Sequence, residues 1–549
     1  MTESIDDTEV SPLVQQILKR RGYDTTEALE RFLHPSYDRD LHDPFLLTDM
    51  KKAVARITKA IKGAEPVAIY GDYDIDGLTA TSMMLDFLGG LGANVIGYIP
   101  DRFEEGYGIN QAALAKLQKQ GITLVISVDC GITSAEEAAW AKQHGLDLII
   151  TDHHAVPEQI PQAIAVINPK RPEDKYPFKD LAGVGVAFKL VQALQQHLGQ
   201  PASGQEKWLL DLVALGTVCD VVTLVGENRV LVTYGLRVLA QTRRVGLMAL
   251  AGVAGLNLAN VASYHLGFIL GPRLNAAGRL ETATEALRLL TTSDVVEASI
   301  AAAHLEVLNQ ERRDQQAVIL EQAILQAEHY EDDPVLVLAS PDWAQGVVGI
   351  VASKLMERYH KPTLLLQILG QTSKGSGRSV ASFNLVENLR ALDGIFTKVG
   401  GHHFAAGFTL ESDKIDQLRN QLNARANSQA LVQDISHTAD LELDDFTVLT
   451  LEVISQLEQL EPFGNGNPKP IMTTVKSKVV KSGTVGADGR HLKLVLADKF
   501  GQTITALGFG LADQHPNLAI GQEIDAWFQL VKNDFSGYPK AELILTALH

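Results

Sequence analysis

Cysteine is scarce in this chain of 549 residues, in which Cys130 and Cys219 are the only two. Two cysteines exclude a disulfide framework and a cysteine-rich zinc site. The sequence also lacks an apolar run long enough to span a membrane. Its acidic amino terminus lacks the basic and apolar regions of a signal peptide. These absences predict a cytoplasmic protein.

Basic residues are also in deficit, since 48 Lys and Arg face 66 Asp and Glu for a net charge of -18. Proteins that bind nucleic acid usually carry basic surfaces, so this charge argues mildly against such a partner. It does not exclude a local basic groove, because salt screens exposed charges beyond about 8–10 Å. The hydrophobic content of 46% and the charged content of 21% are ordinary for globular domains. The length predicts about three or four domains.

Three carboxylates at alternate positions, Asp72, Asp74 and Asp76, follow an apolar run that predicts a buried strand at Val67–Tyr70. A helical pattern comes next, so the carboxylates lie on a strand-to-helix turn. Carboxylates this close repel one another, which indicates a cation between them, and oxygen ligands at this density suit Mg²⁺ or Mn²⁺. An EF-hand loop begins in the same way but requires a glutamate where this chain has Met83. A solvated acidic turn is the remaining alternative.

Three further apolar runs predict strands, and each of them also ends in polar side chains. The runs and the residues that follow them are Val95–Ile99 with Asp101 and Arg102, Leu124–Val128 with Asp129, and Leu146–Ile150 with Asp152, His153 and His154. Counted from Asp72, the polar groups recur at intervals of 29, 28 and 23 residues, about the length of a strand–helix unit. This spacing predicts a parallel, doubly wound α/β sheet. Ligands of such sheets bind at the carboxyl ends of the strands, so we expect these groups to converge on one site.

Two other stretches could complete this site. Asp220 lies in an apolar segment, and a buried acid needs a partner, which a metal ion would provide. One of His153 and His154 is interpreted as an imidazole ligand, and the other can then handle protons or contact the substrate. The glycines Gly183 and Gly185 could either form a tight turn or let the backbone approach a phosphate.

Basic and glycine-rich stretches continue beyond this region. Arg273, Asn275 and Arg279 suit bidentate phosphate contacts, with an arginine-capped surface loop as the alternative. A helical pattern without glycine or proline runs from Asp294 to Tyr330 and predicts a bridge between domains. In the α/β segment that follows, residues 374–379 predict an anion-binding turn. Residues 400–408 predict a glycine-flanked histidine loop suited to phosphate contacts.

The character changes after about residue 430, where short strand-like runs are separated by glycine turns. The predicted strands are Ile471–Val480, His491–Leu496, Gln502–Gly508, Glu523–Leu530 and Ala541–Leu545. Five short strands fit an OB-type barrel, a fold that commonly binds single-stranded nucleic acid. Some aromatic residues of this segment must form its core, so no particular one is assigned to base stacking.

Taken together, these motifs resemble those of the bacterial RecJ single-strand-specific exonucleases, which belong to the DHH phosphoesterase superfamily. The stretches that carry the resemblance stand in the family's order and are Gly71–Gly77, Ser127–Gly131, Thr151–His154, Gly216–Asp220, Gly271–Arg279 and Gly400–Gly407. Related pyrophosphatases carry a histidine where this chain has Tyr70, which argues against that activity. The resemblance covers nearly the whole chain.

The resemblance implies an α/β fold class with five parts. These are a helical lead-in at residues 1–50, a parallel doubly wound DHH catalytic domain at 51–290, a connecting helix at 291–332, a DHH-associated α/β domain at 333–428 and an OB-fold nucleic-acid-binding β-barrel at 429–549.

The implied activity is a 5′-to-3′ exonuclease that releases mononucleotides from single-stranded DNA with two Mn²⁺ or Mg²⁺ ions. The implied metal ligands are Asp74, Asp76, Asp129, His153 and Asp220, with Asp72 as a further ligand or a supporting group. With these ligands, His154 would complete the catalytic set by orienting the phosphate or assisting proton transfer. The implied substrate contacts are Arg102, Arg273, Asn275, Arg279, Ser376, Arg378, His402 and His403.

The family also implies a role in DNA repair and recombination, with single-strand-binding protein and a RecQ-type helicase as partners and no membrane. One alternative is a DHH phosphodiesterase for small substrates, either an oligoribonuclease or a cyclic-dinucleotide enzyme. The predicted barrel argues against it, because a small substrate needs no such platform. A non-catalytic single-strand-binding scaffold is the other alternative, and the complete set of metal ligands argues against that.

Overall fold

A computed structural model of the chain describes residues 10–101, 105–106, 108–429, 438–516, 518–534 and 537–549. Within these ranges the chain forms three β-sheets, each built from its own segment of the sequence. Among the described helices, none combines the length and the apolar character that a membrane span requires.

The first sheet has five strands, all paired in parallel, in the order β2-β1-β3-β4-β5. They are β1 (Val67–Tyr70), β2 (Val95–Tyr98), β3 (Leu124–Val128), β4 (Asp147–Thr151) and β5 (Ala165–Ile167). The helices that precede or connect these strands are α1 (Pro12–Arg20), α2 (Thr26–Leu33), α3 (Tyr37–Asp40), α4 (Met50–Lys62), α5 (Ile75–Gly90), α6 (Gln111–Lys119) and α7 (Ala135–Gln143). The predicted parallel sheet is confirmed, and apolar side chains of β1, β3 and β4 lie in its core.

A mostly helical region completes the first domain. Its helices are α8 (Gly183–Leu198), α9 (Leu210–Cys219), α10 (Gly226–Leu239), α11 (Val245–Val253), α12 (Ser263–His265), α13 (Gly271–Leu280) and α14 (Thr284–Thr291). A π-helical turn, Leu266–Leu270, joins α12 to α13. The stretch 271–279 is therefore helical, although its glycines and its proline are also compatible with a loop.

One long helix, α15 (Val295–Glu328), connects this domain to the next. The Asp294 side chain caps it by accepting hydrogen bonds from the amides of Val296 and Glu297. Its 34 residues span about 50 Å at 1.5 Å per residue. Its amino-terminal half packs against α11, α13 and α14, and its carboxyl-terminal half packs against the following domain. The predicted bridging helix is confirmed.

The second sheet has the order β6-β7-β8-β10-β9, and only β6 and β7 pair in parallel. Its strands are β6 (Leu336–Ser340), β7 (Thr363–Leu369), β8 (Thr372–Arg378), β9 (Phe396–Gly401) and β10 (Ala405–Glu411). Its helices are α16 (Gln345–Tyr359), α17 (Leu385–Arg390) and α18 (Ile415–Ser428).

The anion-binding turn predicted at residues 374–379 is wrong, because most of this segment is strand β8. The glycines in this strand make room for side chains and do not form a turn. A Cβ on Gly375 would lie 2.3 Å from the ring of Phe408 on the neighbouring strand. The predicted histidine loop is in fact the β9–β10 hairpin, and only residues 402–404 lie outside its strands.

The third sheet closes on itself, because β12 pairs with both β13 and β15. Its strands are β11 (Leu441–Glu442), β12 (Met472–Val485), β13 (His491–Ala497), β14 (Thr503–Gly508), β15 (Glu523–Asn533) and β16 (Lys540–Leu548), and one helix, α19 (Leu451–Glu458), precedes β12. β14 and β16 complete the circuit by pairing in parallel. The predicted five-stranded barrel is confirmed.

The helices α1 and α2 pack against this barrel and not against the first sheet. Their apolar side chains, including Val14, Ile17 and Phe32, share one buried core with residues of α19 and of the barrel strands. The helices α1 and α2 therefore form one folded unit with the barrel.

Candidate metal centre and the cleft beside it

Polar side chains that follow three neighbouring strands meet at the carboxyl ends of the strands of the first sheet. β1 pairs with β3, and β3 pairs with β4, so the residues that follow these strands lie side by side. The strand order β2-β1-β3 places β2 and β3 on opposite sides of β1, so the order reverses here. In an open parallel sheet, ligands usually bind at the carboxyl ends of the strands beside such a reversal. The convergence expected from the sequence is therefore present.

His153 lies at the centre of the cluster. Its Nε2 is 3.2 Å from Asp129 Oδ1, 3.5 Å from Asp220 Oδ2 and 3.8 Å from Asp76 Oδ2. Asp220 reaches this position from the carboxyl end of α9, where it is the capping residue. Strand ends and a helix end thus supply one set of ligand atoms.

Three overlapping groups of side chains have ligand atoms close enough together to hold a metal ion. The groups are Asp129 with His153 and His154, Asp76 with His153 and Asp220, and Asp72 with Asp74 and Asp129. Asp129 belongs to two of the groups, as a bridging carboxylate would. All the metal ligands suggested by the resemblance therefore fall within one cluster.

Burial makes the charged cluster costly without a cation. Burial and the nearby Asp74 raise the pKa of Asp76 to about 7, and burial with the charges of Asp76 and Asp74 raises the pKa of Asp220 to about 9. Burial, followed by the charge of Asp76, raises the pKa of Asp129 well above its usual range. Burial also lowers the pKa of His153 to about 3, which keeps the imidazole neutral.

Several ligand atoms in the cluster have no hydrogen-bond partner among the described residues. They include Asp129 Oδ1, Asp220 Oδ2 and His153 Nε2, all of which are buried. Buried polar atoms are normally satisfied, so unsatisfied oxygens around a neutral imidazole need an explanation. A divalent cation fits this donor set, because carboxylate and imidazole ligands suit Mn²⁺ and Mg²⁺.

Asp76 is held by the start of helix α8. The amides of Gly183 and Val184 donate hydrogen bonds of 2.6 and 2.8 Å to its two carboxylate oxygens. A Cβ on Gly183 would lie 2.4 Å from Asp129 Oδ1, so only glycine fits between the two acids. The close backbone approach considered for Gly183 is thus real, but it serves a carboxylate and not a phosphate.

Asp152 holds the histidine turn in place, although the sequence motifs assign no role to it. Its Oδ1 accepts hydrogen bonds from the amides of His153 and His154 and lies 2.7 Å from His154 Nδ1. Its Oδ2 accepts a hydrogen bond from the amide of Ile132. Burial opposes a charge on His154, but the bond and charge of Asp152 outweigh it and raise the pKa of His154. The position of Asp152 directly before two histidines is the sequence signal that could have identified it.

Basic side chains lie on the facing α/β domain. Arg378 donates from Nη1 to Ser376 Oγ at 3.1 Å and to the carbonyl of Gly377. Burial, with the charges of Arg378 and His154, lowers the pKa of His402, so this domain faces the histidine turn of the first. His403 lies in the same hairpin, with Nε2 3.0 Å from the carbonyl oxygen of Ala381.

The remaining predicted substrate contacts lie in different environments. Arg273 is buried and forms an ion pair with Glu306 of α15, so contact with a phosphate would require that pair to open. Asn275 and Arg279 line a cavity beside the cluster. Arg102 lies outside the described residues, and its role stays a prediction.

Comparison with protein-family models gives three matches along the chain. The DHH family N-terminal domain matches residues 66–217, the DHHA1 domain matches residues 332–428, and the RecJ OB domain matches residues 439–547. The three matches follow one another in the order of the three sheets.

The single-stranded-DNA-specific exonuclease RecJ of Bacillus subtilis is 40% identical to this chain over 543 residues, which are 98% of this chain and 68% of that protein. The crystal structure of Thermus thermophilus RecJ with Mn²⁺ superposes with a TM-score of 0.83 at 29% identity, over 98% of this chain and 78% of that one. The Mg²⁺ complex of the same protein gives a TM-score of 0.77 at 28% identity, over 98% and 77%.

Proposed function

The chain belongs to the RecJ family of single-stranded-DNA-specific exonucleases, and we propose that it degrades single-stranded DNA to mononucleotides from the 5′ end. One observation carries the proposal: a buried cluster of acids around a neutral histidine has unsatisfied ligand atoms, and Arg378 and His402 of the second domain face it. The polarity of the reaction and the roles of individual residues are the proposed parts.

We propose that Asp74, Asp76, Asp129, His153 and Asp220 hold two Mn²⁺ or Mg²⁺ ions, with Asp72 as a ligand or as a support for Asp74 and Asp129. Bound ions of this kind activate a water molecule for attack on the phosphate and stabilise the leaving oxygen. The protein preorganises the ligands, because Gly183 and Val184 fix the Asp76 carboxylate.

His154 and the facing domain position the phosphate in this proposal. Asp152 fixes the ring of His154 through Nδ1 and favours its protonated form, so His154 can orient the phosphate or move a proton. Ser376, Arg378, His402 and His403 contact the phosphate from the other side of the cleft. A guanidinium suits this task, because its donors match two phosphate oxygens at once.

We propose that the parts expected from the sequence act as separate functional units. Residues 51–290 form the catalytic domain, 291–332 the connecting helix, 333–428 the phosphate-binding domain and 429–549 the platform for the trailing strand. The helices α1 and α2 support that platform, since they share its core. A cleft between two domains admits one strand and clashes with a duplex, which would give selectivity for single strands.

The setting of the reaction rests on the family alone. We propose that the protein acts in the cytoplasm on intermediates of DNA repair and recombination. Single-strand-binding protein and a RecQ-type helicase are the proposed partners, because single strands must be exposed and protected before an exonuclease removes them.

Timed digestion of a single-stranded oligonucleotide, labelled at either the 5′ or the 3′ end, tests the proposal. With Mn²⁺ or Mg²⁺ the 5′ label should appear first as a mononucleotide, while the 3′ label stays on progressively shorter strands. Chelation of the metal should stop both reactions. Early release of the 3′ label would overturn the polarity, and cleavage of dinucleotides alone would favour the small-substrate alternative.

A further inference from the structure

Two exposed aromatic rings lie next to each other, Tyr264 on α12 and Phe268 on the π-helical turn that follows it. Tyr264 is 61% exposed and Phe268 is 70% exposed. Their ring centroids are 5.0 Å apart, and their planes differ by 22°. The small interplanar angle shows that the two rings are stacked, so both project from the same side. Single exposed aromatics are common on protein surfaces, but a stacked and exposed pair is not explained by core packing.

The rings line a cavity of about 380 Å³ that opens between several parts of the chain. Cys219 and Val221, which flank the ligand Asp220, form the wall from the first domain, and Ile350 comes from the second domain. Phe463 and Asn465 come from the segment that leads into the barrel. The volume lies in the range of cavities that take small ligands, such as a single nucleotide.

The segment 463–465 is fixed to the first domain by direct hydrogen bonds. Ser263, which precedes Tyr264, donates to the carbonyl of Phe463 at 2.6 Å. Asn465 donates to the carbonyl of Val221 at 2.8 Å. The aromatic pair, the metal cluster and the entrance to the barrel are therefore held in one arrangement.

Among the residues that the structure describes, no acidic side chain pairs with one guanidinium of the cavity wall. Arg312 of α15 lines the cavity and donates to the side-chain oxygens of Asn309 and Gln316, both of which are neutral. Its Nε is buried and has no hydrogen-bond partner among the described residues. Burial, with the charges of Arg313 and Arg273, lowers the pKa of Arg312. A cation in this position favours an anionic ligand.

An aromatic platform and a guanidinium that has only neutral partners among the described residues are the two features that a nucleotide requires. Bases of any sequence stack on aromatic rings, and arginine binds the phosphate. Arg279 lies in the same wall and donates to the carbonyl of Gly346 at the boundary with the second domain. The cavity is thus cationic and aromatic on a chain whose net charge is -18.

We propose that this cavity binds the nucleotide on the uncleaved side of the reacting phosphate, with its base on Tyr264 and Phe268 and its phosphate on Arg312. The inference rests on the proposed exonuclease function and assigns a subsite to it. The uncleaved side is chosen because the cavity wall continues into the segment that leads to the barrel, where the remaining strand must go. The basic residues of the second domain, Arg378 and His402, do not line this cavity. They are assigned to contacts with the departing nucleotide.

The test is a double-mutant cycle on binding affinity, in which the aromatic rings are removed from the protein and single bases are removed from the strand. All proteins carry Asp129→Asn to prevent hydrolysis, and their affinity for a 3′-labelled single strand of 20 thymidines is measured by fluorescence anisotropy. The double variant Tyr264→Ala, Phe268→Ala should bind roughly 5- to 150-fold more weakly, the range expected for one lost stacking contact. Trp208→Ala, which removes a partly exposed ring elsewhere, should leave the affinity unchanged.

Strands with one abasic site at successive positions from the 5′ end complete the cycle. At one position near the 5′ end the abasic site should weaken binding of the parent protein by a similar factor, and it should not weaken binding of the double variant any further. Unchanged affinity of the double variant would overturn the proposal. So would a double variant that loses affinity but remains equally sensitive to every abasic site, because the rings would then act only through folding.

Arg312→Gln tests the phosphate contact separately. It should reduce the slope of log affinity against log salt concentration by about 0.7, as expected for one lost phosphate contact on a single strand. Arg312→Lys should keep most of that slope. An unchanged slope in the glutamine variant would overturn the phosphate assignment. Hydrolysis of the same strand by the protein with native Asp129 is measured in parallel, so failure of the proposed function is seen independently of the cavity.

Discussion

Arg21 and Asp440 form a salt bridge of 2.7 Å, although 419 positions separate them in the chain. The buried Arg229 of α10 joins the same two segments, because it donates to the carbonyls of Phe32 and Leu460 at 2.9 Å. The first domain therefore touches the amino-terminal helices and the barrel segment through one side chain. Removing the barrel would affect both partners.

The first prediction concerns removal of the barrel. Deleting residues 430–549 alone should give a poorly soluble protein, because Val14, Ile17 and Leu18 are fully buried against that domain. Each exposed side chain costs about 1.5–3 kcal/mol. Deleting residues 1–34 as well should restore solubility, because the apolar face is removed with its partner. Soluble yield and thermal unfolding compare the two fragments.

The fragment that contains residues 35–429 keeps every proposed metal ligand. If the barrel holds the trailing strand, this fragment should bind long single strands more weakly by a factor of roughly 30 to 10⁴, the equivalent of two stacking contacts. Cleavage of a very short oligonucleotide should fall much less. Equal losses on long and short strands in a folded fragment would mean that the barrel supports the core and does not hold DNA.

The second prediction concerns the metal centre. Asp129 has a φ of 62°, a left-handed conformation that asparagine tolerates better than alanine. Asp129→Asn should therefore remain folded while hydrolysis is lost. Because the substitution removes one of several repelling carboxylates, the metal-free protein should be at least as stable as the parent.

Thermal unfolding with and without Mn²⁺ checks this assignment. The parent should gain stability from the ion, since a ligand that binds only the folded state stabilises it, and the variant should gain much less. Asp416→Ala is the matched control, because it removes an exposed carboxylate on α18. Near-normal turnover by Asp129→Asn would contradict the metal assignment.

The sequence predicts the centre well where local pattern decides the structure. Asp74, Asp129 and His153 follow apolar strands of a parallel sheet, and such strands place their carboxyl ends together. The bond between Asp76 and the amide of Gly183 joins residues 107 positions apart, so no local pattern reveals it. The amphipathic face of α1 likewise shows that the helix is packed but does not identify its partner.

The main difference between the sequence prediction and the structure concerns the glycines of residues 374–379. The sequence pattern indicates turn formers there, but Gly375 makes space in a strand for the ring of Phe408. Single-sequence patterns cannot separate these two uses of glycine, because the second depends on a side chain that is distant in the sequence. The aromatic pair Tyr264 and Phe268 was missed for a related reason, since exposure is a property of the folded chain.

The third prediction concerns Asp152. Asp152→Asn keeps one oxygen acceptor but loses the charge that raises the pKa of His154. Activity should fall about 10- to 100-fold, the usual cost of removing a carboxylate that orients a catalytic group. Stabilisation by Mn²⁺ should change less, because Asp152 belongs to none of the candidate metal groups among the described residues. An equal loss of activity and of metal-induced stability would instead indicate that the whole histidine turn has moved.

The last prediction concerns Arg378 on β8. If its guanidinium contacts a phosphate, Arg378→Ala should weaken binding of single strands by about 1.5–3 kcal/mol, the range for hydrogen bonds to charged groups. That range corresponds to roughly 10- to 150-fold in affinity. Arg378→Lys should recover only part of the loss, because an ammonium cannot bind two phosphate oxygens in the same way.

Sequence dependence decides what Arg378 recognises. Phosphate contacts carry no base information, so oligothymidylate and oligoadenylate should lose the same factor. Arg390→Ala, which removes an exposed arginine on α17 of the same domain, controls for a general loss of positive charge. If only particular sequences lose affinity, Arg378 reads bases. If Arg390→Ala has the same effect as Arg378→Ala, the contribution is diffuse electrostatics and not a contact, because a contact depends on the position of the guanidinium and a general field does not.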